Sequence, residues 1–121
     1  MIDRIFAERF ADDWIDAWNR HDLNTILAHY SDDFEFSSPK IPGIVNEPSG
    51  VLKGKANVGA YWAKGLSLLP DLKFELLTVF VGIDSMVIHY RNERGLVCAE
   101  TMDFGFDMLV HKSTANHALQ Q

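Results

Sequence analysis

Phe6, Phe10, Trp14 and Trp18 recur every four residues, with Ala7, Ala11 and Ala17 beside them and Asp12, Asp13 and Asp16 elsewhere. That spacing draws one apolar stripe and predicts an amphipathic helix over Ile2 to Asn19. Asn19-Arg20-His21 breaks the stripe, and Asp22 is an N-cap for a short second helix whose Leu23, Ile26, Leu27 and Tyr30 share a face. Ser31-Asp32-Asp33 reads as a polar turn leading into a short strand, Phe34 to Ser38, with Phe34, Phe36 and Ser38 pointing one way. Three of the four prolines fall between Pro39 and Gly54, so that stretch reads as a loop, long enough in so small a domain to be functional or mobile. A third helix follows, about Ala56 to Leu66, with Val58, Tyr61 and Trp62 as its apolar positions and Pro70 beyond its end.

The second half is extended. Phe74 to Val81, Met86 to Asn92, Leu96 to Phe106 and Leu109 to His117 are separated by connections too short for parallel crossovers, which predicts an antiparallel meander. The fold class is therefore α+β, one domain over residues 1–121, with three N-terminal helices packed on one face of a mainly antiparallel sheet.

Composition narrows the function classes. Eleven Lys and Arg against 17 Asp and Glu leave a formal net charge of -6, which argues against a protein that tracks a nucleic-acid backbone. A single cysteine, Cys98, excludes an internal disulfide and leaves too few thiolates for a structural zinc site. No apolar run approaches the roughly 20 residues of a membrane span, and Asp3 and Glu8 sit where a leader would be basic. The expectation is a cytoplasmic protein with no membrane partner.

The words Trp14-Ile15-Asp16-Ala17-Trp18-Asn19-Arg20-His21-Asp22-Leu23, Tyr30-Ser31-Asp32-Asp33-Phe34 and Leu52-Lys53-Gly54-Lys55, followed by the meander, resemble the nuclear transport factor 2-like superfamily. Among its branches the chain is most similar to the SnoaL-like one, beside the ketosteroid isomerases and polyketide cyclases. The resemblance covers nearly the whole chain and implies a cone, in which helices close over a strongly curved sheet around an apolar cavity. Residue parity groups Met86, Ile88 and Tyr90 on one strand, Ala99, Thr101, Asp103 and Gly105 on the next, and His111, Ser113, Ala115 and His117 on the last. The resemblance makes these the cavity faces. It then leaves Val87, His89, Glu100, Met102 and Phe104 on the outer face, an apolar patch that implies a homodimer through that surface.

Asp103 is the catalytic candidate, a mid-strand carboxylate whose pKa a cavity would raise; holding the cavity wall together is the structural alternative. Steroid isomerase activity is not expected. Trp14 stands at the position of the isomerases' helix tyrosine, and Ser37-Ser38 stand where their base falls. The ligand-binding candidates are Trp14, Trp18, Tyr30, Phe36, Ser38, Tyr61, Trp62, Tyr90, Thr101 and His117, the last paired with Asp103 on the neighbouring strand. Cys98 has outward parity and reads as packing. His111 and His117 lie about 20 Å apart along one strand and cannot share a metal; no metal site and no cofactor are expected. Two functions stay open. One is an enzyme of the SnoaL-like type that binds a small apolar carbonyl compound, including polycyclic ones, and moves a proton through Asp103 in an isomerase- or cyclase-type reaction. The other is a non-catalytic ligand-binding or dimerisation module.

Overall fold

The computed structural model describes residues 1–119. Helix α1 spans Arg4–Asn19, opened by Asp3, whose carboxylate accepts from the Phe6 amide at 2.8 Å. Its buried face is Ala7, Phe10, Ala11, Trp14, Ala17 and Trp18, the stripe that the four-residue spacing draws. Helix α2, Leu23–Leu27, is capped by Asp22, as its sequence predicts. Strand β1 runs Tyr30–Ser37, α3 is a single turn at Ile41–Ile44, β2 is Val51–Lys53, and α4 covers Lys55–Leu68. Then come β3 (Glu75–Val81), β4 (Ser85–Arg91), β5 (Val97–Phe104) and β6 (Val110–His117).

These strands form one curved, unclosed six-stranded sheet in the order β2-β1-β6-β5-β4-β3. The meander from β3 to β6 is antiparallel throughout, as expected; β1 extends it by lying parallel to β6. Helix α1 packs across β3 and α4 across β1, so both cover the concave face. The Asn19 side chain fastens α1 to the start of β3, donating to the Phe74 carbonyl at 2.9 Å and accepting from its amide at 2.6 Å.

Two local readings need correction. Ser31, Asp32 and Asp33 lie inside β1 rather than in a turn, and Tyr30 opens that strand rather than ending α2. The pairing with β6 jumps from Tyr30↔Val110 to Glu35↔Lys112, so the polar triplet is an irregularity in the strand. It draws Tyr30 and Phe34, both fully buried, close enough for their rings to lie 4.4 Å apart. The Pro39–Gly54 stretch is also less irregular than its composition suggests, since it holds α3 and β2.

The turn into β6 carries Asp107-Met108 without a glycine, and Met108 sits at φ 61, in the left-handed region. Met108→Gly should therefore raise stability by about 1 kcal/mol, about 4 °C in Tm for a domain of this size. A lowered Tm in thermal denaturation would show that the thioether's packing outweighs the backbone cost.

Candidate functional site

Register decides which side chains reach the concave face. β4 and β5 are joined through residues 92–96, where the Asn92 amide donates to Leu96 O at 2.8 Å. The hairpin pairs Tyr90↔Cys98, Ile88↔Glu100 and Met86↔Met102. Directly opposed residues share a face. Met86, Ile88 and Tyr90 point inward as expected, so Cys98, Glu100, Met102 and Phe104 must as well, and all seven are buried. Asp103 and Thr101 face the other way. Asp103 is exposed, between Ser85 and Lys112, and Thr101 lies between Val87 and Thr114.

The sequence-derived register of β5 is thus off by one residue, and every side chain on that strand changes face. Asp103 and Thr101 leave the cavity, while Glu100, Met102 and Phe104 leave the outer surface. On β6 the expected Ser113 and Ala115 are buried and His117 lines the cavity; His111 is instead exposed, bonded to Asp107 at 3.0 Å.

A cavity of about 130 Å³ opens between α4, the start of β3 and the inner face of the sheet. Trp18, Phe36, Ser38, Tyr61, Trp62, Tyr90 and His117, all expected, line it. Cys98, Glu100, Ala115, Phe74, Leu66 and Lys40 complete much of the wall. Trp14 and Tyr30 do not line it. They stand behind, fully buried, where the Trp14 indole N–H donates to the Tyr30 hydroxyl at 2.9 Å. The volume is close to the roughly 150 Å³ known to hold a benzene ring, so the cavity accommodates a ring of that size.

Glu100 is the chemical centre of this wall. The Tyr90 hydroxyl donates to its Oε1 at 3.2 Å and the Ser113 hydroxyl to its Oε2 at 3.4 Å. Burial pushes the carboxyl up to about 7, and the two hydrogen bonds hold back only part of that rise. Near neutral pH such a group both gives and takes a proton. Burial, reinforced by the Glu100 charge, raises the phenols of Tyr30 and Tyr90, so both stay neutral. Ser113 also lies within hydrogen-bonding reach of Tyr30, which extends the network to Trp14.

At the other end of the wall, Cys98 and His117 face each other across β5 and β6, with Sγ 3.1 Å from Nδ1. His117 therefore pairs with Cys98 and not with Asp103, and Cys98 is an inward residue rather than an outward one. Burial lowers the His117 pKa, with Lys40 acting in the same direction, so the imidazole is neutral at pH 7. Among the described residues, no His, Cys, Asp and Glu side chains form a group of three that could hold a metal.

Glu100 was legible in principle. Cys98, Glu100, Met102 and Phe104 form the more apolar parity of their strand, and placing Tyr90 inside places them inside through the hairpin. The resemblance drew attention to Asp103 instead.

The SnoaL-like domain family model matches residues 11–110, so the chain belongs to the SnoaL-like family. It is similar to a SnoaL-like protein of unknown function from Burkholderia thailandensis, with 50% identity over 97% of this chain and 98% of that one, at a TM-score of 0.92. Its fold also resembles TerC, crystallised with polyporic acid (15% identity, 93% and 92% coverage, TM-score 0.75). A third likeness is an NTF2-like protein of unknown function from Cytophaga hutchinsonii (12% identity, 98% and 95% coverage, TM-score 0.69). Among curated proteins, none matches the chain. Among the described residues, no helix is long and apolar enough to cross a membrane.

Proposed function

We propose that the cavity binds a small apolar carbonyl compound, about one ring in size, and that Glu100 moves a proton at the carbon beside its carbonyl. The observation that carries this reading is a carboxyl in the cavity wall, buried, held by two hydroxyl donors and titrating near pH 7. The aromatic lining supplies apolar surface for the ring. TerC, of like fold, crystallised with polyporic acid, which supports a small organic ligand for this fold. The role that the sequence suggested for Asp103 passes to Glu100.

The test is deuterium uptake into cyclohexanone in D₂O, followed by proton NMR. The wild-type chain should catalyse exchange at the carbons beside the carbonyl, with a rate that rises through about pH 7 as Glu100 becomes the carboxylate. Glu100→Gln should lower that rate by about 100-fold or more. Asp103→Asn, on the exposed face, should leave it unchanged. Exchange at the buffer rate in the wild type, together with ligand-induced quenching of tryptophan fluorescence, would favour the non-catalytic binding module.

Self-association through the outer sheet face remains part of this proposal on a smaller patch, now that Met102 and Phe104 lie inside. Phe80, 55% exposed, lies opposite Val87, and Ala99 and Thr101 continue the patch across β5. Sedimentation should give a dimer that Phe80→Glu converts to monomer; a wild-type monomer at micromolar concentration would remove the idea.

A further inference from the structure

The proton-transfer reading uses Glu100 and leaves the other end of the polar wall unexplained. There the Cys98 thiol faces both the cavity and the His117 imidazole. Tyr90 joins the two ends, donating to Glu100 while lying within hydrogen-bonding reach of the thiol. A thiol that donates to Nδ1 puts the ring's own proton on Nε2. That Nε2 is buried and, among the described residues, has no partner. The indole N–H of Trp18, a cavity residue 7% exposed, also has none. A buried donor without an acceptor costs about 1–3 kcal/mol, and both of these belong to residues of the one cavity wall.

We propose that Cys98 is a second reactive group of the cavity, a thiol that adds to the β-carbon of a small α,β-unsaturated ketone, with His117 as its base. The proposal rests on the reading of the cavity as a ligand site. In the step, His117 Nδ1 takes the thiol proton and sulfur forms a bond to the β-carbon. The π pair shifts to give an enolate, and the proton held by His117 passes to the α-carbon. The sum is addition of S–H across the double bond, with no oxidant or reductant consumed.

The unpartnered Trp18 N–H is the donor available to the ketone oxygen as charge develops on it. Burial holds the resting thiol above its ordinary pKa and the Glu100 charge adds to this, whereas Lys40 and Arg94 favour the thiolate as it forms. The pair is therefore neutral at rest and depends on His117 for activation. Cyclohexenone is the simplest compound of the right chemistry and size.

The experiment uses the full chain, cyclohexenone as probe and intact-protein mass as readout. One adduct per chain is expected. It maps to Cys98 by peptide analysis of the wild-type protein and is absent from Cys98→Ala. Its rate should saturate with probe concentration and exceed that of the same chain unfolded in urea by about tenfold or more. His117→Gln should slow it on the order of 100-fold. Trp18→Phe, which keeps a ring but removes the N–H, should raise the half-saturating concentration by about tenfold.

A folded chain that reacts no faster than the unfolded one overturns the proposal, as does a rate linear in probe or indifferent to His117→Gln. Deuterium exchange is read on the ketone and addition on the protein. Exchange without adduct therefore removes only the Cys98 proposal, and adduct without exchange removes only the proton-transfer reading. If neither occurs and tryptophan fluorescence does not respond to either ketone, the ligand cavity beneath both falls.

Discussion

Glu100→Gln should make the folded chain more stable at pH 8, on the order of 3 kcal/mol, while removing the proton-transfer group. The carboxyl titrates at 4.5 when unfolded and about 7 when folded. A raised folded value means that the group's contribution is fully present below pH 4.5 and is lost as pH climbs through 7. Above that window the wild type carries a buried carboxylate, and the distance between the two values corresponds to roughly 3 kcal/mol. Glutamine does not titrate. Its amide oxygen still accepts from Tyr90, and its NH₂ can donate to the Ser113 oxygen.

Urea denaturation at pH 4.5 and pH 8 checks this difference. The variant and the wild type should lie close together at the lower pH and separate by the higher one. His29 and His117, whose pKa values burial lowers, act with the opposite sign: their stabilisation is lost as pH falls below 6.5. They are common to both chains and cancel. A variant destabilised equally at both pH values would mean that the carboxyl is not a strained buried group at all. The combination expected here, stability gained with exchange lost, is typical of groups retained for chemistry at the expense of packing.

Residues whose role is set by local spacing could be read from the sequence, and those set by long-range register could not. The α1 stripe, the Asp22 cap and the four-strand meander follow from patterns within a dozen residues, and the structure has them. Parity within a strand says which residues go together but not which group faces in. For β5 the answer lay in Tyr90↔Cys98, a pairing that the β4–β5 connection determines. Hydrophobicity agreed with it, through Met102 and Phe104. The resemblance to ketosteroid isomerases favoured Asp103 against both. The irregularity in β1 was hidden for another reason: three polar residues in a row look alike in a turn and in a strand whose pairing has slipped.

Trp14→Ala should cost about 4 kcal/mol, the largest loss expected from any single truncation of the aromatic core. Its indole is 1% exposed and packs against Tyr90, Phe74 and Trp18, with ring centroids 5.5, 5.8 and 6.0 Å away. It also donates the hydrogen bond that the buried Tyr30 hydroxyl accepts. Truncation opens a void behind the cavity wall and takes away that donor. Trp14→Phe separates the two contributions, because it retains most of the apolar contact and loses the N–H. It should cost about 1–2 kcal/mol.

Against a typical total of about 5–15 kcal/mol, the alanine variant is expected to survive only at low urea. The phenylalanine variant should fold well enough for exchange measurements. Because Tyr30, Ser113 and Glu100 are connected, losing the indole donor should also disturb the pH at which exchange rises, even though Trp14 touches no ligand. Equilibrium urea unfolding gives the first quantity and the pH profile of deuterium exchange the second. A loss below about 1 kcal/mol for the alanine variant would contradict the packing described for Trp14. An unchanged profile in the phenylalanine variant would sever Trp14 and Tyr30 from the Glu100 network.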